Sequence, residues 1–200
     1  SKESKGSGGS FDKYLVQSFV SETRVLAIDE EQLSETAIAG FDAKAATLFC
    51  CNCWSSGAGA LLLQVTAGGA RLVSASSLQL VSQWTPPAGV QVTVAHANAS
   101  QVLLATAGAR LVLLRVTPAG ALKEEAHAAL DHEVSCINIS PVGGEAESKF
   151  AAVGMWKELS VRMLALPSLK ELTRDALGGE IVPRSLLMTR FEPAASATAS

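Results

Sequence analysis

Arg24-Val25-Leu26-Ala27-Ile28, Arg71-Leu72-Val73, Arg110-Leu111-Val112-Leu113-Leu114 and Arg162-Met163-Leu164-Ala165-Leu166 repeat one short pattern, a cation followed by an apolar run. The arginines stand 47, 39 and 52 residues apart, a spacing typical of stacked repeats. Each copy has the same surroundings. An apolar strand precedes it (Val16–Val20, Leu61–Thr66, Val102–Thr106, Phe150–Met155), followed by a tight turn (Ser21-Glu22, Gly68-Gly69, Gly108, Lys157-Glu158). A more polar strand then closes the unit: Gln32–Ile38, Leu78–Trp84, Ala121–Leu130 and Leu169–Ala176. Four strands in roughly 40–45 residues make the blade of a β-propeller. The expected fold is therefore all-β, a propeller of antiparallel four-stranded blades.

The 200 residues hold about four such blades, whereas a ring of seven needs about 280–300. Ile181–Phe191 reads as the opening of a fifth. The expectation is a partial propeller from a longer chain rather than a four-bladed ring, with residues 1–10 a disordered Gly/Ser/Lys linker, 11–192 the propeller and 193–200 a disordered Ala/Ser/Thr tail. Ala119–Leu130 and Ser168–Gly178 are alanine- or charge-rich enough to favour helix by propensity, but each falls where a closing strand belongs and is assigned as one. The turns Thr66-Ala67-Gly68-Gly69-Ala70 and Ala105-Thr106-Ala107-Gly108-Ala109 place glycine where positive φ is needed.

The composition narrows function. An apolar content of 48% is ample for a core, and sixteen Lys and Arg against nineteen Asp and Glu give a net charge of −3. Nothing resembles the basic stripe with which a protein grips phosphate backbones. The N-terminus has no apolar h-region, and no apolar run is long enough for a membrane helix, so the expected setting is intracellular, without membrane contact. Cys50, Cys51 and Cys53 do not suggest a metal site: on a strand Cys51 and Cys53 face one side and Cys50 the other, so three thiolates cannot converge. His96, His127 and His132 lie apart, and Asp131-His132-Glu133 immediately precedes a buried strand, which favours structural or surface roles. Leu177-Gly178-Gly179-Glu180 lacks the Lys-Ser/Thr of a phosphate loop and reads as a turn between blades. No catalytic residue, metal or cofactor is expected. Trp156, at the end of Phe150–Met155 and before a polar turn, either caps the core or stands exposed, and if exposed at a rim it is the kind of residue that anchors a partner; Trp54 and Trp84 occupy comparable strand ends and are weaker candidates.

Five stretches resemble the middle propeller of the family of large subunits of UV-damaged-DNA-binding complexes. They are Ser18-Phe19-Val20-Ser21-Glu22-Thr23-Arg24-Val25-Leu26, Ser100-Gln101-Val102, His132-Glu133-Val134-Ser135-Cys136, Gly154-Met155-Trp156-Lys157-Glu158-Leu159-Ser160-Val161-Arg162, and Leu177-Gly178-Gly179-Glu180-Ile181-Val182-Pro183-Arg184-Ser185. The last run is the most specific. It favours this family over the related large subunits of splicing factor 3b and of the cleavage and polyadenylation factor, which would make the chain an RNA-processing scaffold. Loops such as Ser55–Gly59 and Ala67–Ala70 depart from the family's usual wording. The resemblance implies a non-catalytic adaptor, in the nucleus and also the cytoplasm. Its middle propeller would dock a cullin 4 scaffold of a ubiquitin ligase, while propellers outside this chain hold substrate receptors and DNA is met only indirectly. It also implies that Glu133 and Trp156 lie on the cullin-facing surface.

Overall fold

The computed structural model describes residues 13–28, 32–179 and 181–191; the expected linker at 1–10 and tail at 193–200 lie outside them. Four antiparallel sheets follow one another along the chain, each a simple meander. The first holds β1 (Tyr14–Ser18), β2 (Thr23–Ile28) and β3 (Leu33–Thr36). The second holds β4 (Thr47–Ser55), β5 (Gly59–Thr66), β6 (Gly69–Ser74) and β7 (Leu80–Trp84). The third is β8 (Val92–Ala97), β9 (Gln101–Thr106), β10 (Arg110–Val116) and β11 (Leu122–Ala129). The fourth is β12 (Val134–Asn138), β13 (Phe150–Met155), β14 (Ser160–Ala165) and β15 (Lys170–Ala176). Both segments with helical propensity are strands, β11 and β15, because tertiary pairing with β10 and β14 outweighs alanine's preference.

The first strands of successive sheets lie side by side, β8 packing on both β4 and β12, so they line the inner side of the propeller. Burial follows position in the blade. All six residues of β9 are buried and all seven of β15 are exposed. A middle strand packs its two faces against the neighbouring sheets and needs a continuous apolar run, whereas an outer strand meets water. Leu63, Leu72, Leu104 and Leu114 meet between the second and third sheets. Leu103, Leu113, Val153 and Met155 meet between the third and fourth. Each such side chain contributes roughly 1.5–3 kcal/mol by burial. In each complete sheet the ladder slips once between the first two strands and once between the last two, at Thr47/Phe49 and Leu72/Val73, at Val92/Val94 and Leu113/Leu114, and at Val134/Cys136 and Met163/Leu164. Bulges increase local twist, so their recurrence gives the blades a common shape.

The first sheet departs from the expected four strands. Arg24 sits in its second strand, whereas Arg71, Arg110 and Arg162 sit in the third strands of theirs. β1–β3 thus match strands two to four of the other sheets, and among the described residues no strand fills the innermost place. A groove of about 720 Å³ lies there, lined by Tyr14, Val16, Phe41, Cys50 and Leu62 among others. β1 also ends earlier than the apolar pattern suggests. Phe19 and Val20 are exposed because the chain turns there, Phe19 N–H donating to Glu22 O at 2.8 Å. Ile181–Phe191 forms no strand but runs beside β12, where Cys136 Sγ–H donates to Pro183 O (3.4 Å) and Asn138 Nδ2 to Leu186 O (3.0 Å).

Candidate docking surface on the fourth sheet

Trp156 follows β13 and Glu133 precedes β12. The two strands are antiparallel with Val134 opposite Met155, so both residues emerge at the same rim. Trp156 N–H donates to Glu133 O at 3.0 Å, which makes them neighbours through the backbone. Trp156 is 43% exposed, enough surface to be covered by a partner. Glu133 also acts through its side chain, whose Oε1 accepts from the N–H groups of Gly108 (2.9 Å) and Ala109 (3.2 Å) in the β9–β10 turn. Both turn residues have positive φ, and their adjacent N–H groups converge on that one oxygen. The carboxylate therefore pins the rim of the fourth sheet to that of the third. The sequence places Trp156 and Glu133 at strand ends; the structure brings them together.

A charged network that sequence reasoning missed lies behind this pair. The side chain of Arg162 is 3% exposed and reaches Asp131 Oδ2 (3.1 Å), Glu158 Oε2 (2.6 Å) and Glu171 Oε2 (3.3 Å). Arg174 joins the same carboxylates from outside. Asp131 is two residues before Glu133 and Glu158 two after Trp156, so one buried cation ties down both loops that carry the candidate residues. The hydrogen bond from Arg162 holds the Glu158 carboxyl below the usual carboxylate range. A partial signal was available: Glu158 stands four residues before Arg162, in the turn that leads into its strand, and Glu171 lies in the strand that closes the sheet.

The remaining candidates lie elsewhere. Trp54, near the end of an innermost strand, is exposed at the opposite rim, and Trp84 is half-buried against the core between the second and third sheets. Cys51 and Cys53 share a face with their sulfurs 3.9 Å apart, while Cys50 packs on the other side; burial pushes the Cys50 thiol up to about 11. His96 stacks near Phe49 at 5.1 Å and accepts the Ile139 N–H at Nδ1, and burial lowers its pKa. His127 pairs with Glu124 on the surface, and His132 stands 4.0 Å from Glu158. Among the described residues no three His, Cys, Asp or Glu side chains gather as metal ligands, and no helix is long and apolar enough to cross a membrane.

A family model described as the RSE1/DDB1/CPSF1 second beta-propeller matches residues 2–198. The chain belongs to that family. Over 184 residues it is 52% identical to DNA damage-binding protein 1 of Oryza sativa subsp. japonica, 50% to DNA damage-binding protein 1a of Arabidopsis thaliana and 48% to DNA damage-binding protein 1 of Solanum lycopersicum. Each match covers 91% of this chain and 16% of the relative, so the chain spans about a sixth of the length of these proteins. Family membership accounts for the meander sheets and their shared inner strands.

Proposed function

We propose that this propeller segment is a non-catalytic adaptor that docks the cullin 4 scaffold of a ubiquitin ligase through the rim bearing Trp156 and Glu133. Its work is DNA damage repair and protein ubiquitination, in the nucleus and also in the cytoplasm, with substrate receptors held by propellers outside these residues. The observation that carries this reading is the half-exposed indole of Trp156, hydrogen-bonded through its backbone to Glu133 at a rim stiffened by Arg162. An aromatic side chain on a pre-organised rim loses little entropy when it is covered. The RNA-processing alternative is not favoured, since the relatives above are DNA damage-binding proteins.

The test is Trp156→Ala in the full-length polypeptide. An aromatic anchor commonly costs about 2 kcal/mol when truncated, roughly a 30-fold loss of affinity. Calorimetric titration with the N-terminal region of cullin 4 should show that loss while the melting temperature barely moves. Unfolding without a selective loss of cullin binding would make Trp156 a core residue and end the assignment.

A second expectation concerns DNA. Arg24, Arg110, Arg115, Arg162 and Arg174 each sit within 4.0 Å of a carboxylate, so part of the positive charge is already compensated in a chain of net charge −3. Plain duplex DNA should bind this propeller no more tightly than about 10⁻⁶ M at physiological salt. Fluorescence anisotropy showing tight, salt-sensitive binding by residues 11–192 would overturn that.

A further inference from the structure

The run Ile181–Phe191, which forms no strand, lies along the fourth sheet. Pro183 is buried and Arg184 beside it is exposed, and the segment is held against β12 by the hydrogen bonds from Cys136 to Pro183 and from Asn138 to Leu186. Its seat on β13 depends on Gly154: a Cβ there would lie 2.8 Å from Pro183 Cγ and 2.6 Å from Cys136 Sγ. Trp156 stands two residues beyond Gly154, in the turn that follows β13. A chain that lays Pro183 over Gly154 delivers the next residue to Trp156. The Arg184 guanidinium lies over the indole, 5.7 Å from the ring centroid, within cation–π range.

We propose that Arg184 is a further docking residue of this rim, and that the partner segment it fits carries a carboxylate beside an apolar side chain. The inference rests on the docking reading above and names the chemistry of its partner. Among the described residues no carboxylate lies within 4.0 Å of Arg184, in contrast to Arg162 and Arg174 on the same sheet. An arginine stacked on an aromatic ring keeps its edge N–H groups free in a planar fork, the arrangement that takes a carboxylate in two parallel hydrogen bonds. The apolar neighbour of that carboxylate covers the exposed part of the indole. This gives the Pro183-Arg184 run a function: proline, glycine and cysteine set the height of the strap, and arginine meets the partner.

Calorimetric titration of the full-length polypeptide with the N-terminal region of cullin 4 separates the outcomes. Arg184→Gln is expected to weaken binding about 5–10-fold, and Arg184→Glu about 30-fold or more, as for an arginine at an interface centre. Arg184→Lys falls between wild type and Arg184→Gln, because it keeps the charge but loses the fork and the stack. Raising the salt concentration should weaken wild-type binding more than that of Arg184→Gln, and combining Arg184→Gln with Trp156→Ala should cost less than the two separately. Undiminished binding by Arg184→Glu, with binding by Trp156→Ala impaired, overturns this inference and leaves the docking reading standing. Undiminished binding by both variants removes the docking reading and this inference with it. Losses that track a falling melting temperature in both Arg184→Gln and Arg184→Glu make the strap structural and overturn the docking role.

Discussion

Replacing Gly69 by alanine is expected to destabilise the second sheet by about 3 kcal/mol or more, the sum of two penalties that the structure separates. Gly69 has φ +135°, a conformation that costs a side-chain-bearing residue of order 1–3 kcal/mol. Its Cβ would also lie 2.2 Å from Trp84 O at the end of β7 and 3.1 Å from Thr85 Cα, and overpacking against backbone adds about 1–3 kcal/mol. Gly108 is the internal control. It occupies the equivalent turn of the next sheet at φ +87° with nothing within 4 Å of an added Cβ, so Gly108→Ala incurs only the first penalty, about 1–2 kcal/mol. Hydrogen exchange of the β5 and β6 amides in the full-length polypeptide, against that of β9 and β10, measures each loss locally. Equal losses in the two variants would show that the β5–β6 turn yields freely and that the contact with Trp84 carries no cost.

Those two glycines also mark what was legible in the sequence. Both hairpins can be read from Thr66–Ala70 and Ala105–Ala109, because a turn is local and its residues announce it. The blade order is legible for a related reason: apolar runs alternate with polar ones at the strand length, and consecutive strands pair. The arginines that mark the repeat have no single job. Arg24 pairs with Glu22 in solvent, Arg110 reaches Glu124 at 3.9 Å, Arg71 is half-buried, and Arg162 is buried among three carboxylates. The repeated architecture comes from the apolar residues that follow them and from the recurring bulges. Register is less legible, since Phe19 and Val20 look like strand and form a turn. The site was half visible. A tryptophan at a strand end before a polar turn stands out in one dimension, but the Glu133 carboxylate is satisfied by N–H groups 24 and 25 residues earlier. The strap that brings Arg184 to Trp156 is fixed by contacts 47 and 48 residues apart. Periodicity tells which face a residue takes and says nothing of what a distant segment lays upon it.

Arg162 is where the repeat that reveals the fold meets the surface proposed to dock a partner, and Arg162→Met should cost about 2–3 kcal/mol at neutral pH. Breaking a fully buried ion pair costs about 3–5 kcal/mol because a charge is stranded. Here the figure is discounted because Asp131 is 66% exposed and Glu171 36%, so water can solvate them once the cation is gone. The loss should depend on pH in a definite direction. Glu158 has its carboxyl pKa depressed in the folded state, first by the hydrogen bond from Arg162. Its contribution is therefore complete above the unfolded value of about 4.3 and is lost as pH falls through the lower folded value. The gap between wild type and Arg162→Met should be full at pH 7 and narrow on acidification below about pH 4. Exchange protection of β13 and β14, followed over that range in the full-length polypeptide, measures it. A gap that stays constant with pH would mean that Arg162 acts by packing alone. A gap that closes would also predict weaker cullin binding at neutral pH, by less than Trp156→Ala causes, because the loops bearing Glu133 and Trp156 would have lost the cation that holds them together.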